Sequence, residues 1–291
     1  MKKIFNFKVI LQCILFALLS CACSSLVHAF NSAFIEGVHG KPEFVTNSIF
    51  MYSFYEKLSY AIVYVCIGRF IPIKNKVLRG FTYIMLIWAS DFMPQLFGLA
   101  FADGPIAEAA FSASIAVCDS LVFLITGLLF GILVNVPSEV EYKKCSKSSI
   151  LKTSLISMVS FPLLVIAGDM ILKSIDESFG SRGAIGVSQQ QAIPFYLCFY
   201  GCFLITGILL PIFYRITLYN TEKAKSAFWF GLYYSIGIWT PVVLIMIVFG
   251  TELIPTLVYT ILFIAVLLVV TTLNGILLNH FEKTKKEKHN E

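Results

Sequence analysis

Eight apolar runs divide this chain, near residues 8–30, 49–71, 80–101, 106–135, 151–173, 192–215, 228–250 and 254–279, with charged residues, Pro and Gly at their borders. Each run is about the 20 residues a helix needs to cross roughly 30 Å of hydrocarbon. The chain is 58% apolar and 13% charged, against roughly 25% charged in a soluble domain, so it holds more apolar surface than a water-soluble core can bury. In lipid every backbone N–H and C=O must be paired inside the structure, and runs of this length without period-2 alternation favour helices over a closed barrel. The fold class that follows is all-α, a polytopic transmembrane bundle of about eight spans in antiparallel hairpins, one transmembrane domain over residues 1–291.

The distribution of Lys and Arg orients that bundle. Cytoplasmic loops retain positive charge and translocated loops do not. With the N-terminus inside, the inner segments hold Lys2, Lys3 and Lys8; Lys74, Lys76 and Arg79; Lys143, Lys144, Lys147 and Lys152; Arg215, Lys223 and Lys225; and Lys283, Lys285, Lys286 and Lys288. The outer loops hold only Lys41, Lys173 and Arg182, and Lys57 and Arg69 fall within the second span. Both termini are therefore expected in the cytoplasm. Residues 281–291 form a Lys-rich tail suited to anionic lipid. The bacterial inner (plasma) membrane is the expected location, on the short Lys-rich start and a lipobox-like tetrapeptide.

Residues 1–30 admit three readings, because basic residues followed by an apolar stretch also describe a secretory signal. They form an uncleaved first span, or a signal cleaved after Val27-His28-Ala29, or a lipoprotein leader in which Leu18-Leu19-Ser20-Cys21 marks Cys21 for lipidation. Either cleavage leaves seven spans. The run is longer than a typical signal core, which favours the first reading.

Charge and cysteine usage narrow the partners. The net charge of +5 resides in short loops where topology accounts for it, so nucleic acid is not an expected partner. Of the eight cysteines only Cys145 lies outside an apolar run, and no CxxC pair exists; Cys198 and Cys202, one turn apart, read as small apolar filler. Nothing calls for a metal or a cofactor. The bilayer is the certain partner, with a small solute or ion as the expected ligand.

Short matches point to a repeated hairpin. Phe123-Leu124-Ile125-Thr126-Gly127 in the fourth run recurs as Phe203-Leu204-Ile205-Thr206-Gly207 in the sixth. The even-numbered runs each carry Gly followed four residues later by a breaker or small residue: Gly68 and Pro72, Gly127 and Gly131, Gly207 and Pro211, Gly275 and Asn279. Ala89-Ser90-Asp91 and Ala167-Gly168-Asp169 match in runs three and five. Chance matching among residues common in membrane helices is the competing account. Gly127 and Gly131 also form a GxxxG pair, which serves packing within the bundle or a homodimer.

Ionisable groups at membrane depth cost about 2.5 to 3.5 kcal/mol each on insertion scales and so mark candidate sites. Glu56, Asp91, Asp119 and Asp169 lie at mid-depth or outward of it, where they can line one cavity open to the outside. Asp91 and Gln95 share a helix face, and Pro94 between them lacks an N–H and frees a nearby carbonyl. Glu108, Ser112, Asp119 and Thr126 form one stripe, and Tyr52, Glu56, Tyr60 and Tyr64 another. The expected ion- or substrate-binding set is Asp91, Gln95, Asp119, Glu56 and Asp169, in a transporter whose carboxylates take up and release a proton or Na⁺.

Two other readings stand beside transport. In one, Lys57 pairs with a carboxylate and Ser, Thr and Tyr satisfy the rest, so that the polar groups only join helices in an accessory membrane protein. In the other, paired carboxylates act on a lipid headgroup. The sequence has no P-loop, HExxH or GxSxG, and none of its four histidines falls near a bilayer centre, so no catalytic residue is assigned and an enzyme is disfavoured.

Overall fold

A computed structural model of the chain describes residues 6–34, 43–92, 113–134, 136–181, 192–221, 225–248 and 253–290. Among these residues all regular structure is helical: α1 (Phe7–Phe34), α2 (Glu43–Ile67), α3 (Lys76–Ile87), α4 (Ala113–Leu133), α5 (Lys147–Ile175), α6 (Ala192–Ile216), α7 (Ser226–Val248) and α8 (Leu253–Asn290). Short 3₁₀ turns follow α2 (Gly68–Phe70), α5 (Glu177–Phe179) and α6 (Leu218–Thr221), and α3 passes directly into a π turn, Trp88–Phe92. Four of the helical stretches are long and apolar enough to cross a membrane: Phe7–Val27, Lys147–Ile175, Phe199–Thr221 and Leu253–Thr284.

Local chemistry sets the helix starts. Asn75 caps α3, its side-chain oxygen accepting from the N–H groups of Val77 at 2.9 Å and Leu78 at 3.1 Å. Asn6 does the same for α1 through Val9 N–H at 2.9 Å. Each cap satisfies donors that have no partner within the helix.

Large apolar side chains face outward as well as inward. On α4, Val117, Leu121, Leu124, Leu128 and Ile132 form an exposed apolar stripe, and Leu151, Leu155, Val159 and Leu163 do so on α5. The opposite face of α5 buries Ser149, Thr153 and Ser157, and α8 buries Thr256, Thr260, Thr271 and Asn274. A hydroxyl in an apolar helix is satisfied most simply by the carbonyl one turn back. Thr153, Thr217, Ser235, Thr260 and Thr271 all donate in this way, at 2.7 to 2.8 Å. Fewer polar groups reach another helix: Asn274 Nδ2 donates to Ser157 Oγ at 3.1 Å, and Ser59 Oγ to Gly237 O at 2.9 Å.

The helices pack in a closed cycle. Sequence neighbours pair as α1 with α2, α3 with α4, α5 with α6 and α7 with α8, and the pairs join through α1 with α4, α2 with α7, α5 with α8, and α6 with the π turn after α3. The same relation holds between the first four helices and the last four, since shifting every number by four reproduces the contacts. At the centre, the Tyr64 and Tyr83 rings meet at a tilt near Phe130, while Phe213 bridges Tyr83 to Phe230 and Tyr234.

Glycine sets the closest approaches. A Cβ on Gly131 would lie 2.3 Å from Val77 Cα, and one on Gly80 would lie 2.5 Å from Gly131 N, so α3 and α4 touch backbone to backbone. A Cβ on Gly207 would lie 2.7 Å from Ser157 O of α5, and one on Gly275 2.4 Å from Ala227 Cβ of α7. The glycines at matched places in α4, α6 and α8 thus each meet the preceding helix. Both members of the GxxxG pair are engaged with α3, Gly127 against Phe81 and Ile84.

Gly131→Ala should therefore lower stability by about 1–3 kcal/mol, the usual range for forced overpacking. Gly237→Ala, whose Cβ would meet only a Val63 methyl at 3.3 Å, should cost far less. Thermal unfolding in detergent checks the pair, and equal midpoints would contradict the backbone contact.

Candidate functional site

The π turn after α3 is the point where a helix departs from its own ladder inside the bundle. The carbonyl of Ser90 would ordinarily accept from the N–H of residue 94, which is proline and has none. Instead Ser90 O accepts from Thr206 Oγ1 of α6 at 3.1 Å and from Tyr234 OH of α7 at 3.2 Å. All three groups are buried. Ser90 Oγ turns back to Leu86 O at 2.7 Å, and Trp88 Nε1 donates to Ser120 Oγ of α4 at 3.3 Å. One distorted turn thereby ties α3 to α4, α6 and α7.

The expected site residues distribute around this turn unevenly. Asp91 belongs to the π turn by its backbone; its side chain and all of Gln95 lie outside the described residues, as do Glu108 and Ser112. Asp119 is half-buried on α4, adjacent to the Ser120 that receives Trp88. The Trp88 contact thus brings the turn carrying Asp91 to the segment of α4 carrying Asp119. Thr126, two turns further along the same stripe, is buried with its hydroxyl unbonded, although its match in the sixth run, Thr206, is bonded.

Glu56 forms a separate cluster on α2. Its carboxylate accepts from Lys57 Nζ at 2.5 Å and from Tyr60 OH at 3.0 Å. Lys57 is buried, with its ammonium 4.9 Å from the Phe123 ring centre on α4 and 5.5 Å from that of Tyr60. Cation–π contact of this kind offsets part of the cost of removing an ammonium from water. Phe123 is one helical turn from Asp119, so the Glu56–Lys57 pair approaches the same stripe of α4.

Asp169 lies in a third place, at the end of α5. Its Oδ2 is 2.7 Å from Lys173 Nζ and accepts from Tyr200 OH of α6 at 3.1 Å, and its Oδ1 accepts from Ser181 N–H at 2.5 Å. Lys173 also donates to the Tyr196 hydroxyl, and the rings of Tyr196 and Tyr200 stack 8° from parallel. A buried carboxylate with three donors is a fastening, and here it holds the turn at Asp176–Gly180 over the end of the helix pair. Within that turn Asp176 accepts from Ser178 N–H and Oγ, which lowers its pKa below the ordinary carboxylate value.

Several of these partners went unread in the sequence. Lys173 appeared as a loop cation, yet its spacing of four from Asp169 is the ordinary helical ion-pair interval. Thr206 stood in the repeated pentapeptide, but nothing in one dimension links it to Ser90. Among the described residues no three His, Cys, Asp or Glu side chains come close enough to hold a metal ion. No known family, curated protein or solved structure matches the chain.

Thr206→Val and Tyr234→Phe each remove one of the two donors that reach Ser90 O among the described residues, and the double variant removes both. Each single change should cost about 1 kcal/mol, with the pair losing up to about 3 kcal/mol as the buried carbonyl loses both hydroxyls. Unfolding of the four proteins of this cycle in detergent measures the coupling, and strict additivity would mean the two hydroxyls do not share that carbonyl.

Proposed function

We propose that the chain is a cytoplasmic-membrane transporter of a small solute or ion, with eight spans in antiparallel hairpins and both termini in the cytoplasm. The observation that carries this reading is the π turn of Trp88–Phe92, where Ser90 O engages α6 and α7. Irregular backbone at membrane depth is tolerated only where protein or a cavity surrounds it, and transporters commonly build binding sites at broken helices. π turns are also frequent at functional sites. Asp91 stands on this turn, and Asp119 stands next to the Ser120 that holds it. In this reading the two carboxylates bind and release the coupling ion, and a shift of α3 against α6 and α7 changes the side to which they open.

The span count draws support from the eight helices, the outward apolar stripes of α4 and α5, and the matched glycine contacts of α4, α6 and α8. The equivalence of α1–α4 and α5–α8 in their contacts fits a parallel internal repeat about an axis along the membrane normal.

The ion pairs of Glu56 with Lys57 and of Asp169 with Lys173 favour a second reading for those two acids, as fasteners between helices in an accessory membrane protein. The coupling role is assigned to Asp91 and Asp119 on their place at the π turn and beside Ser120, and the positioning role to Glu56 and Asp169 on their ion pairs with Lys57 and Lys173.

Uptake of a solute panel by proteoliposomes of wild type and Asp91→Asn tests this. Transport of at least one solute or ion should fall by about tenfold or more on neutralisation, as expected when a charge made only for the moving step is lost. Silence of the wild type across the panel, or unchanged uptake by the variant, would remove the reading.

A further inference from the structure

Residues 136–146, between α4 and α5, contain no helix and cross the ends of four helices as a strap. Arg79 Nη2 of α3 donates to Val136 O, Ser138 Oγ to Ile71 O at 2.9 Å, and Glu139 N–H to Arg69 O at 2.8 Å. Further along, Arg215 Nη2 of α6 donates to Lys143 O, Lys143 N–H to Asn220 Oδ1 at 3.1 Å, and Ser146 N–H to Glu282 Oε1 of α8 at 2.8 Å. Burial pushes the Cys145 thiol above its usual pKa. The fastenings are single bonds spread along an extended peptide, so the strap can lift without melting a helix.

Beneath its first residue sits a charge with an incomplete set of partners. Arg79 is 2% exposed, and no carboxylate among the described residues pairs with it. A guanidinium does not deprotonate in a protein, and an uncompensated buried charge is costly. Nη1 donates to Ile73 O at 2.5 Å and Nη2 to Val136 O, while Nε has no acceptor among the described residues. The Tyr64 hydroxyl lies beside the guanidinium and is itself buried without a well-formed hydrogen bond. Nε–H and Nη2–H form one edge of the guanidinium fork, which suits the two oxygens of an oxyanion, whereas a peptide carbonyl fills only half of it. The N-terminal turn of α3 adds positive potential, although its own N–H groups at Val77 and Leu78 are already taken by Asn75.

We propose that Arg79 and Tyr64 form a binding site for a small oxyanion, a carboxylate or a phosphate, and that the 136–146 strap is its lid. The anion takes Nε–H and Nη2–H of Arg79 and the Tyr64 hydroxyl proton donor, displaces Val136 O, and releases the strap from that end of the bundle. The inference rests on the transport reading only for the side of the membrane, the cytoplasm, from which the anion arrives. It makes the strap the inner closure of the bundle and anion arrival the event that loosens it.

The test uses Val136→Cys in a chain whose eight native cysteines are replaced by serine, in inside-out vesicles, labelled by a membrane-impermeant maleimide. Inorganic phosphate should speed labelling about fivefold over chloride at equal ionic strength, saturably, as a bidentate partner would and a screening salt would not. Arg79→Lys, which keeps the charge but lacks the fork, and Tyr64→Phe, which removes one donor, should each shrink that ratio. In the chain with native cysteines, trypsin cleavage after Lys143 should rise with phosphate in the same way, which guards against misfolding of the labelled variants. Equal effects of phosphate and chloride, labelling only after unfolding, or an undiminished ratio in both variants would overturn the site. A phosphate response in a protein that moves no solute would keep the site and remove the transport reading.

Discussion

In hydrocarbon a polar group that loses its partner has no water to turn to, and this one constraint orders the whole molecule. Many of the described hydroxyls are satisfied inside their own helix, as when Thr153 donates to Ser149 O or Thr271 to Leu267 O. Such residues ask nothing of their neighbours, and they leave helix faces smooth enough for glycines to bring backbones together at Gly80 and Gly131. Where the local solution fails, the demand passes to another helix. Ser90 O cannot be served by residue 94, so α6 and α7 must approach to serve it.

Charges follow the same constraint at higher stakes. Lys57 and Lys173 each lie against a carboxylate, and both also meet aromatic rings, Phe123 and Tyr196 respectively. Arg215 is held by the carbonyl of Lys143, by Asn220 and by the rings of Tyr142 and Tyr219. A guanidinium can lie among carbonyl and aromatic partners because its charge is delocalised and weakly hydrated, although Arg215 Nε, like Arg79 Nε, has no acceptor among the described residues. The two arginines read as topology markers are therefore also the pins that hold the loop between α4 and α5 in place.

The small void at the centre, lined by Val63, Ile67, Tyr83, Ile87, Phe213 and Tyr234 among others, is apolar and has room for about one water. Helices joined by a few hydroxyl-to-carbonyl bonds, with glycine at their contacts, separate at lower cost than interdigitated large side chains. The seam of α3 with α6 and α7 is joined at Ser90 by hydroxyl-to-carbonyl bonds, while the aromatic cluster beside it is densely packed.

The chain's own order of residues determined the solvent, because no arrangement of eight apolar runs hides them from water. It determined the helical class, since backbone groups in lipid can be paired locally only in a helix, and most helix borders, where charges and caps such as Asn75 fall. The frailty at Pro94 was also legible, because a missing N–H is a property of one residue. The donors that relieve it were not: Thr206 and Tyr234 lie 116 and 144 positions away, and only the closing of the helix cycle makes them neighbours. In the same way four acids at mid-depth or outward of it read as candidates for one cavity, and only tertiary structure shows that Glu56 on α2 and Asp169 on α5 are each held by a lysine. Depth is fixed by position along a helix, whereas the direction a side chain faces is fixed by which helices pack around it.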